Sequence, residues 1–148
     1  MPRLVALAVA LAVAGCATAP PSTAVGLDHA ALHVEDLGAS VAFYQGLFGL
    51  DEIPAPGDPA VIRWLGLDGA QLHLIAFDGP VPATDKAVHF ALRVADVDAV
   101  AARAEALGIA YSDWPGAPST VSTRGDGIRQ IYVQDPDGYW IEVNDARR

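Results

Sequence analysis

The chain has 148 residues, 18 of them acidic against 9 basic, for a formal net charge of −9. A surface this acidic repels nucleic acid and anionic lipid headgroups, which excludes both as electrostatic partners. With a single Cys there is no internal disulfide, so stability must come from a hydrophobic core. The roughly 120 residues after the N-terminal stretch suffice for one such core and not for two.

The chain opens with a short cationic start, Met1-Pro2-Arg3, and an unbroken apolar run from Leu4 to Ala14. A bilayer span needs about 20 apolar residues, so this run suits the h-region of a signal peptide, assigned to residues 1–15. The next motif, Val13-Ala14-Gly15-Cys16, resembles the lipobox of bacterial lipoproteins. That resemblance implies cleavage before Cys16 and a lipid on its thiol as the only membrane contact. Ala17 in place of Asp after the Cys resembles the outer-membrane sorting pattern, so the expected location is the outer membrane, facing the periplasm. An ordinary signal peptide cut after Ala17-Thr18-Ala19 is the alternative, and it too takes the protein out of the cytoplasm. Residues 16–26 are then the lipidated Cys and a small, Pro-containing linker, reaching at most ~35 Å when extended.

From Leu27 onward short alternating runs are punctuated by turn residues, and the domain is assigned to 27–145. A strand over 27–34 leads to a helix from Leu37 to Phe48, with Leu37, Val41, Tyr44 and Phe48 on one face and Gly49 to end it. A weak strand near 51–53 precedes strands at 60–67, 70–77 and 87–94. A second helix, Asp96 to Leu107, is Ala-rich, opens on an Asp cap and stops at Gly108. After a weak strand near 109–112 comes the longest irregular stretch, Asp113 to Gly127, a candidate lid whose informative residues are Trp114 and Arg124. Strands at 128–134 and 139–144 flank Asp135-Pro136-Asp137-Gly138, which reads as turn punctuation only.

The order repeats itself. His29-Ala30-Ala31-Leu32-His33-Val34-Glu35-Asp36 and His89-Phe90-Ala91-Leu92-Arg93-Val94-Ala95-Asp96 match at five of eight positions, sixty residues apart. This is a duplicated module, and the fold class is α+β with two βαβββ halves. Strand parity puts Phe90, Leu92 and Val94 against the helix of their own half, with His89 and Arg93 opposite. The same rule sets His29, Ala31 and His33 against Ala30, Leu32 and Val34, and separates His73 from Leu72 and Leu74. In the last strand Trp140, Glu142 and Asn144 share the His89 side. The two His- and Glu-bearing faces are expected to curve around a common polar hollow.

The segment HAALHVEDLGASVAFYQGLFGL resembles the opening of glyoxalase-type proteins of the vicinal oxygen chelate family, and QDPDGYWIEVND resembles their closing hairpin. The resemblance covers essentially all of 27–145. It implies a cleft holding a divalent metal, with two ligands from each half: His29 and His73, then His89 and Glu142. Enzymes of the family use the metal to bind two neighbouring oxygens of a substrate and stabilise an enediolate or similar anion. It further implies Glu142 as proton shuttle. The His73 position is Glu or Gln in the best-known members, so here the second base is missing.

The residues themselves support a metal. The chain has only four His, and three fall at the ligand positions of the repeat. Imidazoles with one carboxylate suit Zn, Ni, Fe or Mn as divalent ions. His33 is excluded as a ligand, because four residues of strand separate it from His29 by ~13 Å. Tyr132 and Gln130 share a face, with Trp140 and Asn144 nearby; Tyr132 is a candidate donor to a substrate oxygen, or an aromatic that fills space beside Trp140. The expected function is a metal-dependent lyase or isomerase of the glyoxalase I type acting on a small-molecule substrate. A ring-cleaving dioxygenase-like enzyme and a non-catalytic drug-binding protein are the alternatives, since fold does not fix function. Fosfomycin-inactivating relatives carry a Thr two residues after the first His, where this chain has Ala31. The resemblance implies a homodimer, because the family often uses one to bury sheet edges.

Overall fold

The structure, a computed structural model, describes residues 25–81 and 83–147. The leader, Cys16 and most of the linker lie outside the described residues. The first half runs β1 (His29–Val34), α1 (Leu37–Phe48), β2 (Glu52–Ile53), β3 (Ile62–Leu67) and β4 (Ala70–Ala76). The second runs β5 (His89–Arg93), α2 (Val97–Leu107), β6 (Tyr111–Ser112), β7 (Ser122–Thr123), β8 (Arg129–Gln134) and β9 (Trp140–Asn144).

Each half builds the same sheet. The first has strand order β1-β4-β3-β2, and the second β5-β9-β8-β6 with β7 added on β8. The first strand of each half pairs in parallel with the last, and the remaining pairs are antiparallel. The βαβββ duplication is therefore the architecture. Both helices are closed alike: Asp36 and Asp96 accept from the amides of Ala39 and Ala99, and Gly49 and Gly108 take the left-handed conformation (φ 69° in both) that ends the helix.

Parity then builds one core across both halves. Leu32, Val34, Leu72 and Leu74 from the first sheet, and Leu92, Ile131, Ile141 and Val143 from the second, are buried with Tyr44, Leu47 and Ala104 of the helices. The halves also meet through polar contacts made by the Asp135–Gly138 turn. Asp135 accepts from the Tyr44 hydroxyl at 2.8 Å, and Asp137 accepts from the Glu35 amide at 2.7 Å and the Ser40 hydroxyl at 2.9 Å. The turn is thus a clamp between the modules, which local turn chemistry could not reveal. Tyr44 and Ser40 are fully buried, so this clamp sits in low dielectric.

The stretch 113–127 is more regular than an irregular lid. Ser122 and Thr123 pair with Gln130 and Arg129 of β8, on the part of that strand beyond its pairing with β6 at Tyr132 and Val133. Lys86 fastens the other end, donating to the Ser112 hydroxyl at 2.9 Å and to the Asp113 carbonyl at 2.7 Å. Among the described residues no helix is long and apolar enough to cross a membrane.

Candidate functional site

The ligand-type residues sit at matched places in the two sheets. His73 of β4 is paired with Ala31 of β1, and Glu142 of β9 is paired with Ala91 of β5. Ala31 and Ala91 are equivalent in the repeat, so tertiary pairing gives His73 and Glu142 the same position in their sheets. His29 and His89 lie two residues earlier, on the same faces.

In the second sheet His89 and Glu142 come together, with Nε2 and Oε2 3.4 Å apart. The other ring nitrogen of His89, Nδ1, is 2.8 Å from the Lys86 carbonyl. A carbonyl only accepts, so Nδ1 carries the proton and Nε2 is turned to the carboxylate. Glu142 is buried and its oxygens are divided. Oε1 accepts from Asn144 at 2.7 Å and from Arg124 at 3.2 Å, and Oε2 accepts from the Tyr132 hydroxyl at 2.7 Å. Burial, and then the hydrogen bond to Glu142, push the Tyr132 phenol well above its ordinary range, so it remains a proton donor. Trp114 packs edge-on to Tyr132, their centroids 5.5 Å apart, and Lys86 Nζ lies 4.7 Å from the Trp140 ring.

In the first sheet His29 and His73 are stacked, with centroids 4.2 Å apart and planes 11° from parallel. His29 Nδ1 is 2.7 Å from the Asp28 carboxylate, which again leaves Nε2 as the outward nitrogen. His73 Nε2 donates to the Gln71 side-chain oxygen at 2.8 Å. Burial foremost, and the His29 ring next, lower the His73 pKa and favour a neutral imidazole. His33 stands apart, stacked on Phe77 at 4.4 Å.

Each half thus assembles a pair, but the four residues do not meet in one chain. Among the described residues no group of three His, Cys, Asp or Glu converges closely enough to hold a metal. A cavity of about 220 Å³ borders the His89 half, lined by Ser112, Pro118, Tyr132, Gln134 and Trp140. A larger hollow of about 660 Å³, beside Asp68, Arg93 and Asp145, contains none of the four residues and is not part of the site.

The donor set nevertheless fits a divalent cation. His29 and His89 are oriented through Nδ1 by an acceptor, as metal-binding imidazoles are. At 3.4 Å, Nε2 of His89 and Oε2 of Glu142 have the spacing of two ligands on one ion. Sequence reasoning singled out Arg124 but not its contact with Glu142, and it missed Asp28, Trp64, Gln71 and Lys86. For Asp28 the signal was plain adjacency to His29; for Lys86 there was none.

Fold and site together define a two-module protein with paired imidazole and carboxylate donors on matched strands. The model of the glyoxalase/bleomycin resistance protein/dioxygenase superfamily matches residues 26–143, and the chain belongs to that family. It is similar to the uncharacterized protein YwbC of Bacillus subtilis, 30% identical over 123 residues, covering 78% of this chain and 94% of the relative. Among solved structures it is similar to the oxidase ChaP-H1, with 30% identity, a TM-score of 0.69, and coverage of 84% of this chain and 98% of that one. It is similar also to a lactoylglutathione lyase from Agrobacterium tumefaciens, with 26% identity, a TM-score of 0.61, and coverage of 84% and 95%.

Proposed function

We propose that the protein is a divalent-metal-dependent enzyme of the glyoxalase type, acting on a small substrate with two neighbouring oxygens. The observation that carries this reading is the facing of His89 Nε2 and Glu142 Oε2 at 3.4 Å with Nδ1 already committed. Two acceptors held this close require a cation or a proton between them. His29 supplies the third ligand, and His73 occupies the family's fourth position. A metal there would act as a Lewis acid on the paired substrate oxygens. Glu142 is the proton shuttle, and Tyr132, kept protonated, donates to a substrate oxygen or returns the proton to Glu142. Arg124 and Asn144 hold the oxygen of Glu142 that faces away from His89, which keeps the carboxylate oriented during transfer.

The site is completed by a second copy, the His29 of one chain meeting the His89–Glu142 pair of the other. Support comes from the failure of any three donors to converge among the described residues of one chain. Residues 1–15 are read as a signal peptide and Cys16 as the lipid-bearing residue, which places the site in the periplasm at the outer membrane.

A ring-cleaving, dioxygenase-like reaction is the second reading. Two His and one carboxylate form the face used by non-haem Fe(II) oxygenases, and His73, turned into a stack, does not crowd it. Testing requires loading the purified protein with Zn²⁺, Ni²⁺, Mn²⁺ or Fe²⁺ and assaying a hemithioacetal and a catechol in parallel. Isomerisation of the hemithioacetal without oxygen uptake supports the first reading, and oxygen uptake with catechol and Fe²⁺ supports the second. Less than one metal per pair of half-sites at micromolar concentration would sink both.

A further inference from the structure

The first sheet carries a column of three rings. Trp64 lies on His73 with centroids 4.0 Å apart and planes 3° from parallel, and His73 lies on His29 at 4.2 Å and 11°. The backbone dictates the column. Trp64 is directly opposite His73 across β3 and β4, and the neighbour of His73 on β1 is Ala31. A methyl group cannot cover an imidazole face, which leaves room for the His29 ring from two residues away.

We infer that His73 serves the site as the middle ring of this column, fixing the plane of His29, and does not act as a fourth ligand; the inference rests on the metal reading proposed above. An imidazole nitrogen holds a metal in its ring plane, along the lone pair, at roughly 2.0–2.1 Å. The His29 and His73 planes are nearly parallel and stacked face to face. An ion midway between them would lie over the two ring faces, where neither nitrogen has a lone pair. His73 donates from Nε2 to Gln71 and His29 from Nδ1 to Asp28, so the two rings are held in their stacked planes by separate side chains. Two constraints then define His29: Asp28 sets which nitrogen faces out, and His73, backed by Trp64, sets the angle of the ring. Burial of His73 between its two neighbours restricts the middle ring. His73 is a positioning residue, and the ligand face is His29, His89 and Glu142.

Three variants separate the roles when Zn²⁺ affinity of the full chain is measured by chelator competition. His73→Phe keeps a flat ring and removes every donor atom, and it is expected to bind Zn²⁺ within about 3-fold of the wild type. His73→Ala and His73→Gln remove the stacking face and are expected to lose about 10- to 100-fold, the usual cost of disturbing an orienting partner. A fourth-ligand role predicts the reverse, with Phe losing most and Gln retaining affinity, and that result overturns the inference. An independent reading needs no variant and decides the matter where the Phe protein does not fold. In the Co²⁺-loaded wild type, each ligating imidazole gives one strongly shifted exchangeable N–H proton resonance. Two such resonances support the inference, and three overturn it. Absence of Zn²⁺ and Co²⁺ uptake by the wild type overturns the metal reading itself and this inference with it. Uptake by the wild type with loss in His73→Phe overturns the inference alone.

Discussion

His89 and Glu142 face each other from neighbouring strands, Nε2 to Oε2 at 3.4 Å, and the backbone carbonyl of Lys86 fixes which nitrogen does the facing. The pair is built by register: β5 and β9 run in parallel with Ala91 beside Glu142, so the ring two residues earlier folds over a small neighbour towards the carboxylate. A buried carboxylate facing an imidazole nitrogen calls for a proton or a cation between them. That requirement makes this half of the site testable.

Glu142→Gln keeps an oxygen beside His89 and removes the base. Turnover is expected to fall roughly 10²- to 10⁴-fold while much of the metal is retained. His89→Ala should lose the metal, and His33→Ala, whose ring lies on Phe77, should leave metal content unchanged. Metal analysis and steady-state rates on the same preparations check both. Unchanged turnover in Glu142→Gln would remove the proton shuttle from the proposal.

Shared sites make a prediction about mixtures. Homodimers of His29→Ala and of His89→Ala should each be without a working site. Unfolded together and refolded in equal amounts, they should regain about a quarter of the wild-type sites, because half the dimers are mixed and each mixed dimer carries one intact set. Activity and bound metal report the recovery. No recovery, with dimers confirmed by light scattering, places the complete site within one chain.

The clamp between modules predicts a pH dependence. Burial, the largest cause, raises the Asp135 carboxyl above its ordinary value, and the Tyr44 hydrogen bond opposes that rise. A carboxyl whose pKa is raised by folding contributes fully below its unfolded value near 4 and loses that contribution as pH climbs through the raised value. The thermal midpoint of the wild type should therefore fall relative to Asp135→Asn between pH 4 and neutrality. Tyr44→Phe, which leaves a buried carboxylate oxygen without its donor, should cost about 1–3 kcal/mol at neutral pH. Parallel pH profiles for the wild type and Asp135→Asn would count against this account.

Anchoring is tested at the N-terminus. Cys16→Ser should move the protein from the membrane fraction to the soluble fraction, or leave it unprocessed. Fractionation of cells with blotting checks this, and a wild type found free in periplasmic extract contradicts the lipid anchor.

The sequence by itself determined the modules, the helix ends and the faces of β1, β4, β5 and β9. Those features are local or periodic: an Asp and a Gly bracket each helix, alternation of two sorts His29 from Leu32 and His89 from Leu92, and the sixty-residue echo reveals the duplication. Only the tertiary structure decided what the side chains meet. That the Asp135–Gly138 turn clamps onto Tyr44 and Ser40 depends on how one module is laid against the other, and no turn preference encodes it. That Trp64, His73 and His29 form a column depends on strand register, because a partner across a sheet is fixed by pairing and not by distance along the chain. Each sheet assembles its own donor pair, His29 with His73 and His89 with Glu142; parity, which says which side a residue faces, cannot say which sheet will be opposite.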